Sequence, residues 1–368
     1  MCGVVWCVVL VGRSVGRSGR DRCCTQVVKL LGQLVGEEPR LARKLLAPLA
    51  EIIQTTPAKS LMYECISTAT LCLMHTKKAD GKDARNAPVV VRLCADKLRE
   101  FIRDMDQNLK YLGLVGLVNL MRSHPRVVSE HRELVQQCLL DADVTVRLRA
   151  LELITGMVTV RNLPEIVKRL LDHVQTAEGH YRDELIQKIV FICSRDRFAF
   201  LKDFAWYITV IVRLAYIKGT KHGATLAKQL LDVAVRVKSV RAFAVQQMVP
   251  LICEANSETG SMDSISFVLR SAAWIVGEYA ELLEPGSHER MLNALLQPST
   301  LGLQSGIQTV YIQCAMKVLA QFATISVDRP VAEFHAVATT LCEALEPFSH
   351  SKHVEVQERA TCTWHAVC

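Results

Sequence analysis

Apolar residues recur along this chain every three or four positions. In the clearest stretch, Val146, Ala150, Leu153, Ile154 and Met157 fall at i, i+4, i+7, i+8 and i+11. That spacing places their side chains on one face of an α-helix. Asn162-Leu163-Pro164 interrupts the pattern. Pro164 suits the first turn of a new helix, where its missing N–H would have had no intrahelical partner. Ile166, Val167, Leu170, Leu171 and Val174 then supply a second apolar face. The same periodicity predicts helices over 27–34, 45–53, 60–73, 89–102, 181–193, 204–216, 226–237, 240–253, 265–283, 291–296, 306–322, 331–345 and 354–367. Polar stretches at 77–86 and 254–263 read as loops. Residues 1–24 are rich in Val, Gly, Arg and Cys and show no helical period; they are expected to lie apart from a helical body that begins near Thr25.

The helices repeat as a unit. Asp104, Asp106, Leu109, Lys110, Gly113 and Leu114 are matched, thirty-seven positions later, by Asp141, Asp143, Val146, Arg147, Ala150 and Leu151. Each copy joins an acidic turn, an early basic residue and an apolar helical face. The aspartates are placed to accept hydrogen bonds from the free N–H groups of a helix start. Asp143 and Arg147 read as a cap and a contact between repeats. A fixed period in this range marks an α-solenoid of HEAT/armadillo-like antiparallel helix pairs, expected to wind into a right-handed superhelix over 25–368.

Composition agrees with this picture. The chain has 368 residues, is 50% hydrophobic but only 6% aromatic, and holds 18 Gly and 11 Pro. Leu/Val/Ala-rich helical repeats fit those proportions better than a β-sandwich does. The net charge of +7 is weaker than it looks, because residues 13–22 contribute +3 of it. Without a broad basic face, no nucleic-acid partner is expected. The densest later cluster is Arg236, Lys238 and Arg241, with Lys221 and His222 nearby. It is either a solvated helix end or a contact for anionic phosphates or lipid head groups.

Candidate chemistry is sparse. Cys65, Cys72, Cys94, Cys138, Cys193, Cys253 and Cys314 sit within helical apolar patterns and read as reduced core thiols. His350, His353, Cys362 and His365 have ligand-like spacings, but no Cys-x-x-Cys pair supports them, so no metal and no cofactor is assigned. The apolar runs 4–11 and 204–212 are too short to span a bilayer. Arg182, Asp183 and Glu184 open a predicted helix, and no phosphate loop, nucleophile elbow or HExxH motif occurs. The chain therefore reads as non-catalytic.

The run Asn108-Leu-Lys-Tyr-Leu-Gly-Leu114 and the run Arg147-Leu-Arg-Ala-Leu151, with Gly156 and Met157, resemble the adaptin large-subunit trunk family. An ordered set extends the likeness toward its delta-type branch, the large subunits of adaptor complex 3. It comprises Tyr181-Arg-Asp-Glu-Leu185, Trp206-Tyr-Ile208, Gly219-Thr-Lys-His-Gly223, 230–241, Ala273-Trp-Ile275 with Gly277-Glu278, and Glu355-Val-Gln-Glu-Arg-Ala360. The resemblance covers about 27–366 and looks like the later part of the trunk, incomplete at both ends. It implies a subunit that assembles with a beta-type large, a mu-type medium and a sigma-type small subunit. It further implies recruitment by an Arf-type GTPase to Golgi and endosomal membranes, a peripheral cytoplasmic location, and sorting of tyrosine- or dileucine-signal cargo toward lysosomes. No binding residue of the family maps onto a motif here. The rival reading is another helical-repeat carrier or regulatory scaffold, such as a nuclear transport receptor; Trp206, Trp274 and Trp364 share no repeat position, as a carrier's recurring Trp would.

Overall fold

The computed structural model describes residues 18–76, 87–217, 219–255, 263–284, 286–325 and 331–367. Among these residues there is no strand. The chain divides into two compact units, Met1–Thr159 and Val160–Cys368. The expectation for residues 1–24 falls largely on 1–17, outside the described residues. The first helix begins at Ser18 instead of Thr25, and Cys24 is already buried in it.

The first unit contains α1 (Ser18–Glu37), α2 (Arg40–Thr55), α3 (Lys59–Thr76), α4 (Ala87–Arg103), α5 (Gln107–Ser123), two short helices α6 (Pro125–Ser129) and α7 (Arg132–Gln137), and α8 (Val144–Gly156). Helices α1, α3, α5 and α8 stack side by side as one layer, while α2 pairs with α3 and α4 with α5. The face read from the sequence is the buried one: Val146, Ala150, Leu151, Leu153 and Ile154 of α8 are all in the core.

The two acidic turns have the same geometry. Asp106 caps α5 by accepting from the Asn108 N–H at 2.9 Å, and Asp143 caps α8 by accepting from the Thr145 N–H at 2.8 Å. The preceding aspartate braces each cap. Asp104 Oδ1 accepts from the Asp106 N–H at 3.1 Å, and Asp141 Oδ1 from the Asp143 N–H at 3.0 Å. The free oxygen of each bracing aspartate then reaches back one repeat, to Lys59 Nζ at 2.5 Å and to Lys110 Nζ at 3.1 Å. Only the second aspartate of each pair is the cap; the first links repeats. Arg149 adds a further link, donating to the Tyr111 hydroxyl at 3.3 Å with its guanidinium 5.6 Å from the ring centre.

Where α4 meets α5 there is no space for a side chain. A Cβ on Gly113 would sit 2.7 Å from the Ile102 side chain and 3.0 Å from the Leu98 carbonyl oxygen. On Gly116 it would overlap Leu98 Cδ2 at 2.4 Å. Glycine lets the two helices approach until backbone meets backbone.

The second unit contains α9 (Leu163–Thr176), α10 (Gly179–Phe198), α11 (Phe204–Ala215), α12 (Gly223–Arg236), α13 (Arg241–Ala255), α14 (Asp263–Glu278), α15 (Ser287–Leu295), α16 (Ser305–Ile325), α17 (Val331–Ser349) and α18 (Val354–Val367). Helices α12, α14, α16 and α18 form one layer; α11, α13, α15 and α17 line up as the other. The repeat length reappears as polar links between neighbouring repeats. Arg182 donates to the Gly219 carbonyl at 2.9 Å across 37 positions. The Tyr216 hydroxyl donates to Glu254 at 2.8 Å and Gln246 to Glu284 at 3.1 Å, each across 38. Lys317 reaches Glu278 across 39.

Two features depart from plain helical repetition. Regular helical geometry in α10 ends at Arg195, near the predicted end, and Asp196, Arg197 and Phe198 follow at φ 51°, 58° and 65°. Such a left-handed turn of non-glycine residues costs about 1–2 kcal/mol per residue. The Phe198 ring packs edge-on against Phe204 at 5.8 Å and tilted against Tyr207 at 5.9 Å, which holds the turn in place. The expected polar loops, 77–86 and most of 254–263, lie outside the described residues.

The core thiols are chemically quiet. Burial pushes Cys65, Cys72, Cys94, Cys193 and Cys314 up to about 12. All five are free, as are Cys138 and Cys253, while Cys342 is disulfide-bonded.

Two outcomes follow for stability. Gly113→Ala forces the α4–α5 seam apart and lowers stability by about 1–3 kcal/mol, read as a fall in Tm with helical circular dichroism preserved at low temperature; an unchanged Tm contradicts the close approach. Burial raises the Asp141 carboxyl, but the Asp143 N–H and then Lys110 outweigh it, so its value lies below the ordinary 3.8. A depressed carboxyl stabilises the fold above its ordinary value, and that contribution is lost as pH falls through the lowered one. Asp141→Asn keeps the acceptor for Asp143 and loses the pairing with Lys110. It should be less stable than the parent at neutral pH, with the gap closing in urea titrations as pH falls below the ordinary carboxyl value of 3.8; a gap independent of pH excludes the ionic link.

Candidate functional site

The structure divides the basic cluster predicted from sequence. Arg236 is the last residue of α12, Lys238 opens a 3₁₀ turn at Lys238–Val240, and Arg241 starts α13. These three are neighbours at one end of α12. Lys221 precedes the helix at its other end, roughly 20 Å away along fourteen residues of helix. Arg241 is committed to the fold. It donates to the carbonyls of Ala234 and Val235 at 3.1 and 2.8 Å, closing the end of α12 where helical partners run out. Its guanidinium also lies 4.5 Å over the Tyr279 ring. Arg236 bonds Asp232 at 2.6 Å one turn back, yet stays 70% exposed, and Lys238 is exposed. The outward-facing part of the cluster is therefore Arg236 and Lys238.

Beside it lies a feature the sequence reading missed. Residues of α12 and α14, with Val310 of α16, line a cleft of about 550 Å³. From α12 come Ala224, Lys228, Leu231 and Val235; from α14 come Phe267, Arg270 and Trp274. Three large apolar side chains are left facing outward: Val235 is 45% exposed, Phe267 48% and Trp274 38%. The Trp274 ring is held edge-on against Tyr279, centroids 6.4 Å apart, and Tyr279 lies under Arg241. The helix-end residue and the cleft aromatic thus share one stack. No carboxylate lines the cleft, and Lys228 and Arg270 are both exposed. A signal was available: the buried stripe of α14 runs through Val268, Leu269, Ala272, Ala273, Ile275 and Val276, and Phe267 and Trp274 stand off it, seven residues apart with Arg270 between them.

The remaining candidates have structural surroundings. His350 Nδ1 lies 3.1 Å from the Glu346 carbonyl oxygen and 3.1 Å from Ser349 Oγ, and His365 packs against Trp364. Among the described residues no group of three or more His, Cys, Asp or Glu is placed to hold a metal ion. Arg182, in the first turns of α10, is the inter-repeat link to Gly219. No helix among the described residues is long and apolar enough to cross a membrane.

Comparison with known proteins agrees with this architecture. The family model for the adaptin N terminal region matches residues 22–367. The chain is 44% identical over 344 residues to "AP-3 complex subunit delta-1" of Bos taurus, covering 92% of this chain and 28% of that protein. It is 44% identical over 302 residues to "AP-3 complex subunit delta" of Dictyostelium discoideum, covering 80% and 25%. It thus spans about a quarter of the length of these relatives. A "Homology model of the full-length AP-3 complex in an intermediate open conformation" superposes with a TM-score of 0.69 at 25% identity, covering 94% of this chain and 62% of that one. "Crystal structure of Kap121p" matches at a TM-score of 0.51 and 12% identity, over 99% of this chain and 37% of that one, a likeness of fold alone. With its match to the family over nearly its whole length, its capped acidic turns and its stacked helix pairs, this chain belongs to the adaptin N-terminal family.

Proposed function

We propose that the chain is trunk material of a delta-type large subunit of a heterotetrameric vesicle-coat adaptor, and that it works as a scaffold without catalysis. The observation that carries this is the 44% identity to the delta subunits over 80–92% of the chain. The helical-repeat architecture supports it, because stacked pairs offer extended surface for partners while each repeat depends only on its neighbours. The partners are a beta-type large, a mu-type medium and a sigma-type small subunit. Through the assembled complex the chain serves an Arf-type GTPase and cargo bearing sorting signals, on Golgi and endosomal membranes, in transport toward lysosomes and related organelles. The nuclear-carrier reading rests on a fold likeness at 12% identity and is set aside.

The test is co-expression with beta-, mu- and sigma-type subunits followed by affinity capture and size-exclusion chromatography. Co-elution with the sigma-type subunit, through an interface on the order of 2,000 Å² or more, is the expected result. A monomer that elutes unchanged in the presence of all three rejects the assignment.

The exposed pair at the end of α12 gives a second outcome. Arg236→Glu with Lys238→Glu should lower stability by no more than about 1 kcal/mol, the loss of the Asp232 pairing and the like charge put in its place being surface effects. It should weaken sedimentation with phosphatidylserine vesicles by at least about thirtyfold, since each of the two basic residues near an anionic surface contributes about 1 kcal/mol. Lys221→Glu, at the other end of the helix, should have a smaller effect. Equal vesicle binding by all three proteins makes the cluster a solvated helix end.

A further inference from the structure

We propose that the cleft between α12 and α14 is a docking site for an acidic amphipathic helix of a partner protein. The proposal deepens the scaffold reading by naming what one face of the trunk holds.

The first argument is apolar. Val235, Phe267 and Trp274 stand 38–48% exposed around one cleft, beside the half-buried Leu231. Scattered single apolar residues on a surface need no explanation, whereas a contiguous group with two aromatics has the composition of an interface core. Trp274 is also pre-oriented: Tyr279 fixes its edge and Arg241 fixes Tyr279. An anchor that is already ordered loses little entropy when it binds.

The second argument is charge. Lys228 and Arg270 are exposed on the cleft lining, neither has an ion-pair partner among the described residues, and no acidic residue lines the cleft. The nearby carboxylates are engaged: Asp232 with Arg236, and Glu278 with Lys317. The cleft therefore presents two uncompensated positive charges flanking an apolar floor. A guest with leucine- or phenylalanine-type anchors and flanking carboxylates complements both.

The third argument concerns the guest's backbone. The walls of the cleft are helices, whose N–H and C=O groups bond internally, so they offer no free ladder to an extended peptide. A guest buried there must satisfy its own backbone, which a helix does. The α12 wall runs from Ala224 to Val235, roughly 16 Å, or three helical turns.

The experiment uses the full chain and two labelled peptides of about fourteen residues. Both carry leucines at i, i+3, i+4 and i+7; one has glutamates on the flanks of that stripe, the other lysines. Fluorescence anisotropy should show saturable binding of the acidic peptide and none of the basic one. Lys228→Glu with Arg270→Glu should weaken the acidic peptide by at least about tenfold, equivalent to 1.4 kcal/mol, and should let the basic peptide bind. Trp274→Ala should weaken the acidic peptide without reversing the charge preference. Equal binding of both peptides, no binding of the acidic one, or binding indifferent to these substitutions overturns the proposal. So does a concentration-dependent dimer of the parent chain that Trp274→Ala converts to monomer, because a second copy would then be the occupant. Both variants should still co-purify with the beta-, mu- and sigma-type subunits. Loss of co-assembly by the parent chain counts against the scaffold reading, and loss of peptide binding alone counts against the cleft.

Discussion

An amphipathic helix pair in water has two sides to cover and only one partner inside the pair. Everything else in this molecule follows from that shortage. The second apolar side is buried only when another pair is laid against it, so α3 needs α1 and α5, and α14 needs α12 and α16. The glycines at 113 and 116 serve the contact inside one pair, and the capped turns at Asp106 and Asp143 serve the stacking of pairs. The former remove the atoms that would hold α4 and α5 apart, and the latter end each helix start cleanly so that the next pair arrives at a fixed height. Polar links such as Lys110–Asp141 and Arg149–Tyr111 then fix register at the edges of an apolar seam.

Much of this was legible in the residues. The 37-residue recurrence returns as hydrogen bonds spanning 37, 38 and 39 positions, because a period in sequence is the distance between equivalent places on neighbouring repeats. Helix interiors were readable for the same reason that they are stable: the face that recurs every three or four residues is the face that packs. What periodicity cannot show is which side chains converge between helices far apart in sequence. The basic cluster illustrates the limit. Lys221 and Arg236 are close in sequence but lie at opposite ends of one helix, and Arg241 is spent on the carbonyls of Ala234 and Val235. The cleft shows the converse, since Leu231 and Trp274, forty-three positions apart, line one cleft without any shared motif.

The second unit makes the same economy with polar groups. Arg241 closes one helix, covers the face of Tyr279 and, through it, holds Trp274 at the rim of the cleft. One residue at a helix end thereby connects the integrity of a repeat to the shape of its outer surface. The local left-handed turn at Asp196–Phe198 is anchored in a comparable way, by the rings of Phe204 and Tyr207 in the following helix.

The span of the inter-repeat links bears on how such a chain comes to be folded. The side-chain contacts between repeats reach from 31 positions, at Lys110–Asp141, to 50, at Arg359–Thr309. Among the described residues these links close loops of moderate length, so native contacts become rewarding without the closure of a very long one. During synthesis, a repeat becomes able to settle as soon as the next thirty to fifty residues have emerged, and nucleation is free to begin at whichever pair is complete first.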